Sequence, residues 1–117
     1  KSTAINGCPP ELMGLGPIGA TRKALKRAEL NINDIDIIEL NEAFASQSLA
    51  CIKELEINPN KVNIEGGAIA LGHPLGATGA RITAKAASLM KKQNKKFALA
   101  TQCIGLGQGI ATILESV

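Results

Sequence analysis

Glu65-Gly66-Gly67-Ala68-Ile69-Ala70-Leu71-Gly72-His73-Pro74-Leu75-Gly76-Ala77-Thr78-Gly79-Ala80-Arg81 is the stretch around which the rest of the 117-residue chain has to be read. It holds the only histidine. Proline brings a helix-compatible φ and has no N–H to lose, so Pro74 suits a first helical position and places His73 at the N-cap. From 74 to about 90 nearly every position is apolar or small, which predicts a helix buried on most of its faces. The unpaired N–H groups and positive end of such a helix would face His73.

A length of 117 residues fits one domain, residues 1–117, and 45% hydrophobic residues suffice for a modest core. The longest apolar run falls well short of the roughly 20 residues of a membrane span, and no basic-then-apolar leader opens the chain. No membrane partner and a cytoplasmic location are therefore expected. The net charge of +3 is spread over Arg22, Lys23, Lys26, Arg27 and Lys91, Lys92, Lys95, Lys96, with Phe44 and Phe97 the only aromatics. Nucleic acid is not expected as a partner, because single-strand binders need stacking platforms and duplex binders a denser basic face. Cys8, Cys51 and Cys103 are odd in number and form no CxxC, so neither a disulfide framework nor a metal site is indicated. Reduced thiols fit best.

In chain order, residues 1–6 read as a strand, and Gly7, Pro9 and Pro10 enforce a loop. Gly14-Leu15-Gly16-Pro17-Ile18-Gly19 matches the dinucleotide-binding pattern, and Asp36 lies at a suitable distance. That site is rejected: no strand runs into the first glycine, and Pro17 occupies the tight turn. Pro17 instead opens a helix to about 30, with Ile18, Leu25 and Ala28 on one face and the basic residues elsewhere. Residues 35–40 form a buried strand, the Asn41 turn leads into a helix ending near 56, and Pro59 stops it. Residues 62–64 form a brief strand before the glycine-rich stretch, 95–101 another strand, and 110–114 the last. The order β-α-β-α-β-α-β-β predicts an α/β fold with a mixed, mostly parallel sheet and an antiparallel final pair.

Asn41-Glu42, Gly72-His73 and Cys103-Ile104-Gly105 all fall at or after strand C-termini, where open α/β sheets gather ligands. His73 is either an N-cap whose ring serves nearby backbone, or an acid/base group kept neutral by a helix N-terminus. Cys103 is either a buried inert thiol or a group beside a glycine-rich turn whose N–H groups form an anion-binding concavity. Asn41 is either a helix N-cap or a positioned hydrogen-bond donor.

Met13-Gly14-Leu15-Gly16-Pro17, Asn41-Glu42-Ala43-Phe44-Ala45, Gly66-Gly67-Ala68-Ile69-Ala70-Leu71-Gly72-His73-Pro74 and Cys103-Ile104-Gly105-Leu106-Gly107-Gln108-Gly109 resemble, in order and spacing, the C-terminal half of a thiolase. The resemblance spans essentially the whole chain and looks closer to degradative 3-ketoacyl-CoA thiolases, acetyl-CoA acyltransferases of fatty acid β-oxidation, than to biosynthetic ones. It implies that His73 takes the proton of a nucleophilic cysteine as that thiolate attacks a 3-ketoacyl-CoA. Cys103 would protonate the departing acetyl-CoA enolate and later deprotonate incoming CoA. Asn41 would hold a water that stabilises the enolate oxygen together with His73, the N–H of Gly105 would help bind the acyl oxyanion, and Met13 and Phe44 would line the pantetheine and acyl pocket. No cofactor is implied; coenzyme A is a substrate. A homo-oligomer is.

The departures carry equal weight. In the family the nucleophile and most of the CoA-binding loop belong to an N-terminal half, and neither Cys8 nor Cys51 precedes a helix-opening turn that would replace it. The resemblance therefore implies part of an acyltransferase, inactive by itself, with the N-terminal half as a partner; the alternative is a stand-alone acyl-CoA-binding or interaction module. Glu29, Glu56 and Asn94-Lys95 stand at helix ends where the family tends to have glycine, so these ends should be strained. The buried helix normally packs against the N-terminal half, and this chain by itself should leave Leu75, Ile82, Leu89 and their alanine neighbours partly exposed.

Overall fold

The apolar runs become four strands and the periodic segments become helices in a computed structural model that describes residues 1–117. The order is β1 (Ser2–Gly7), α1 (Gly16–Ala28), β2 (Ile37–Leu40), α2 (Ala45–Glu54), α3 (Ala68–Leu71), α4 (Thr78–Gln93), β3 (Phe97–Ile104) and β4 (Gln108–Glu115). The sheet runs β1-β4-β3-β2. Only β2 and β3 pair in parallel, with Leu40 opposite Thr101, while β4 is antiparallel to both β3 and β1. The α/β fold stands, but the expected mostly parallel pairing does not. Three strands do point the same way; β4, returning through the tight Gly105–Gly107 turn, inserts between β3 and β1 and makes both of its own ladders antiparallel. The strand expected at 62–64 reduces to one bridge, Val62 to Ile38.

Alternation along β2 divides the core between the two faces of the sheet. Ile38 and Leu40 join Leu99, Ile113, Ala24, Leu25, Cys51 and Leu55 on the side of α1 and α2. Ile37 packs with Ala98, Ala86, Leu89 and Met90 on the side of α4. Helix α1 lies close on the sheet because Gly16 and Gly109 touch backbone to backbone; a Cβ at either would overlap main-chain atoms of the other segment. The glycines that mimic a dinucleotide pattern are thus explained by packing. The basic face of α1 bonds main-chain carbonyls, Lys23 to Ile5 and Arg27 to Thr3, which covers the free edge of β1.

Helix α4 departs from expectation at both ends and on its surface. It starts at Thr78 rather than at Pro74 and ends at Gln93. The carbonyl of Pro74 accepts from the N–H groups of Ala77 and Thr78 at 2.8 and 2.9 Å, so residues 74–77 form a separate turn and His73 is not the N-cap. The helix buries one face, Thr78, Ile82, Ala86, Leu89 and Met90, and exposes Ala80, Ala84 and Ala87. Ile82 and Leu89 are therefore covered within the chain, against expectation, because they face the sheet; Leu75, in the turn, is 85% exposed. No helix is long and apolar enough to cross a membrane.

The suspect helix ends adopt the left-handed conformation, with φ of 57° at Glu29, 54° at Glu56 and 52° at Asn94. Each is followed by the same closing bond, from Leu30 to Leu25, Ile57 to Ile52 and Lys95 to Met90. Asparagine tolerates this region; glutamate pays roughly 1–2 kcal/mol for it. Glu29→Gly and Glu56→Gly should each raise stability in urea denaturation by about 0.5–1 kcal/mol, the relief being partly offset by the greater unfolded-state freedom of glycine.

Glu39 is fully buried on the α4 side of β2 between Ile37 and Asn41, and neither carboxyl oxygen has a hydrogen-bond partner. Burial pushes its pKa from the ordinary 4.5 to about 7, against the opposing pull of Lys85 and Arg81. The folded state therefore holds a proton that the unfolded chain releases, and stability should fall as pH rises from 4.5 to 7, by up to about 3 kcal/mol. Urea midpoints across that window should decline for the native chain and stay nearly level for Glu39→Gln.

Candidate active site

The β2–β3 ladder ends where the polar residues begin. Asn41 continues it by one bond, donating its N–H to the Thr101 carbonyl at 2.9 Å. Its side chain is fully buried and faces His73, with Asn41 Nδ2 3.4 Å from His73 Nε2. On the other side of the ring, His73 Nδ1 lies 2.6 Å from Thr78 Oγ1, and that hydroxyl donates its single proton to the Pro74 carbonyl at 3.0 Å. Thr78 can then only accept from the ring, so the neutral imidazole carries its proton on Nδ1. Nε2 is left with a lone pair and the Asn41 amide as its neighbour. His73 is thus oriented by a buried threonine five residues on, and not by helix N–H groups as the sequence suggested. Thr78 was hidden among the small residues of the helix start; only its hydroxyl sets it apart.

A second set of bonds fixes the backbone around this pair. Beyond the Val62–Ile38 bridge, Asn63 takes a left-handed φ of 47° and turns its side chain onto β2. Its Oδ1 accepts from Leu40 N–H at 3.0 Å and its Nδ2 donates to Leu40 O at 2.8 Å, so one side chain pairs both main-chain groups that a neighbouring strand would take. The same Nδ2 donates to Glu42 Oε1 at 2.8 Å, and Glu42 Oε2 accepts from the N–H of Ile69 at 2.9 Å. Gly67 is glycine because a Cβ there would overlap the Glu42 carboxylate. Glu65 joins the same loop to α4 through ion pairs with Lys85 and, at 2.8 Å, Lys92, which hold its pKa down at about 2.

Cys103 lies two residues beyond Thr101 and makes no hydrogen bond to His73 or Asn41. It is half-buried, and burial pushes its thiol pKa up, partly offset by a backbone hydrogen bond. Gly105 opens the β3–β4 turn with free space around its Cα, and the bulky Leu106 beside it is held at a left-handed φ of 68° while 89% exposed. Met13 and Phe44 are also surface residues, 48% and 60% exposed. Met13 belongs to the 3-10 turn Pro10–Leu15, which packs on α2 through Gly14, whose carbonyl accepts from Cys51; Phe44 precedes α2. The chain thus brings together Asn41 and His73 directly, adds Thr78, and leaves Cys103, Gly105, Met13 and Phe44 out of contact with that pair.

A sequence profile described as "Thiolase, C-terminal domain" matches residues 1–116. The 3-ketoacyl-CoA thiolase of Vibrio vulnificus strain YJ016 is 60% identical over 118 residues, covering 98% of this chain and 30% of that protein. That of Idiomarina loihiensis is 58% identical over 120 residues, covering 100% of this chain and 31% of its own length. The crystal structure of human mitochondrial 3-ketoacyl-CoA thiolase in complex with CoA superposes with a TM-score of 0.97 at 47% identity, over 99% of this chain and 29% of that one. The chain therefore spans about three-tenths of the length of the relatives it matches.

Cys51 is fully buried, with burial pushing its thiol pKa up, whereas Cys103 is only half-buried. Limited alkylation followed by peptide mass mapping should label Cys103 ahead of Cys51. The reverse order would mean that α2 is not seated on the sheet as described.

Proposed function

The chain belongs to the thiolase family, of which it is the C-terminal domain, and from that premise we propose that it supplies the acid/base and oxyanion groups of a 3-ketoacyl-CoA thiolase. The observation that carries this reading is the buried Asn41 amide against a His73 ring whose Nδ1 proton is held by Thr78. A ring so held presents Nε2 as a base, with an amide donor beside it.

In the proposed reaction a cysteine thiol from the remainder of the polypeptide loses its proton to His73 Nε2, and its sulfur adds to the 3-keto carbon. The C2–C3 bond then breaks, leaving an acyl-enzyme thioester and the enolate of acetyl-CoA. Cys103 gives its proton to the enolate carbon. It then takes the proton of an incoming CoA thiol, whose sulfur displaces the enzyme cysteine as a thiolate and releases the shortened acyl-CoA; the thiolate recovers its proton from His73. Asn41 and protonated His73 stabilise the enolate oxygen, Asn41 through a bound water. The buried Asn41 Oδ1 makes no hydrogen bond within this chain. The N–H of Gly105 faces the acyl oxyanion, and Met13 and Phe44 line the channel for the pantetheine arm and acyl chain. Coenzyme A is a reactant here, in keeping with the CoA carried by the human relative.

The remaining part of the polypeptide is also the proposed cover for the outward side of α4, where Ala80, Ala84, Ala87 and Leu75 are exposed, and for Ile5 on the open half of the sheet. Small side chains along α4 let another backbone come close.

Groups that act as a unit lose nearly all their effect when one is missing. The 117-residue chain by itself should show no thiolysis of acetoacetyl-CoA above a buffer blank. A full-length polypeptide containing it should turn over, and His73→Ala in that polypeptide should lower kcat/KM by about 10³-fold or more. Turnover by the short chain that disappears on His73→Ala would overturn the division of labour proposed here.

A further inference from the structure

The residue next to Asn41 has no part in the reaction above, yet its carboxylate is the only side chain that ties the Asn41 turn to the segment leading into His73. One oxygen of Glu42 receives Asn63 Nδ2 and the other receives the N–H of Ile69. Asn63 is itself fixed to β2 by two bonds to Leu40, the residue immediately before Asn41. Ile69 lies in α3, whose last turn closes through Leu71 N to Gly67 O and Gly72 N to Ala68 O. Gly72, at a φ of 93° that favours glycine, then hands the chain to His73. No other side-chain hydrogen bond reaches the segment from Gly66 to Gly72.

We propose that Glu42 is a positioning residue: its two-oxygen bridge between Asn63 and Ile69 sets the approach of His73 to Asn41, and so the geometry of proton transfer. The inference rests on the thiolase reading and deepens it. A carboxylate is required because both partners are donors. Glutamine offers one acceptor oxygen and turns an NH₂ toward whichever donor remains, so Glu42→Gln keeps the volume of the side chain and breaks the bridge. The ring of His73 is exposed and held by only two contacts, at Thr78 and at Asn41. A shift of the preceding segment is therefore passed directly to the 3.4 Å contact with Asn41.

The test uses a full-length thiolase polypeptide containing this chain. Glu42→Gln should lower kcat by about 10²-fold, the cost of a misplacement near 1 Å, with KM for acyl-CoA within about twofold of the parent. Because Glu42 acts through His73, adding Glu42→Gln to His73→Ala should cost almost nothing further; a merely structural role would make the two losses multiply. A readout independent of turnover comes from ¹⁵N-histidine labelling, with the His73 signals identified by their loss in His73→Ala. They should report the Nδ1–H tautomer in the parent and an averaged, mixed tautomer in Glu42→Gln. Multiplicative losses, or a Glu42→Gln variant with parental kcat and parental His73 signals, would overturn the proposal. A parent that shows the Nδ1–H tautomer, lost in Glu42→Gln, but no thiolysis would instead sink the reading of the site as a thiolase.

Discussion

The one parallel ladder, Ile37–Leu40 against Ala98–Thr101, is the constraint on which the site depends. Two neighbouring parallel strands cannot be joined by a tight turn; the chain must leave the end of one and travel back to the start of the other. Here that return takes residues 41–96, and it passes through α2, α3 and α4. Asn41 stands at the point of departure, His73 partway along, and Cys103 at the far end of the strand on which the journey finishes. The ladder places Asn41 opposite the Thr101 carbonyl, and the helix that covers the ladder contributes Thr78, which orients His73. The residues that carry the proposed chemistry are thus held by the requirements of one strand pair.

Much of this was legible beforehand because the signals were local. Ile35 to Leu40 is too apolar to lie outside the core and Pro17 opens a helix with a clean basic face, while the suspicion that fell on the helix ends at Glu29, Glu56 and Asn94 came from the resemblance to thiolases, which tend to have glycine there. What the sequence concealed was relational. Nothing in the residues 108–115 says that they insert between β3 and β1, so an alternating pattern read as mostly parallel. Helix α4 read as buried all round because alanine and glycine are equally at home against a sheet or at an unfilled surface. The strand expected at 62–64 is brief because Asn63 performs its pairing with a side chain, a substitution that hydrophobic periodicity cannot reveal.

The site residues divide the same way. Asn41, His73 and Cys103 stand out through residue type and position after strands. Thr78, Glu42 and Asn63 become visible only when the distances between their side-chain atoms are known, since threonine after a glycine-rich turn and glutamate at the start of a helical segment are ordinary choices. Glu39 makes the contrast sharper. It sits in a strand whose three other residues are apolar, and its unpaired carboxyl is destabilising in the chain as it stands. Such a group marks a place where local stability has been given up, and it lies on the same face of the strand as Asn41, two residues away.

The edge strand β1 gives the chain an unusual order of assembly. Its partners, residues 108–113, lie more than a hundred positions away, although the two strands are hydrogen-bonded along their whole length. Contacts between such distant segments form late, because the loop they close is about a hundred residues long. During synthesis Ser2–Gly7 precedes its partner strand by about a hundred residues and stays unpaired with it until that strand has left the ribosome. Throughout that interval α1 can offer it lysine and arginine donors along one edge, while its other edge stays open to any passing strand. The β4 insertion that completes the sheet is therefore also the event that closes this edge of β1 to misassembly.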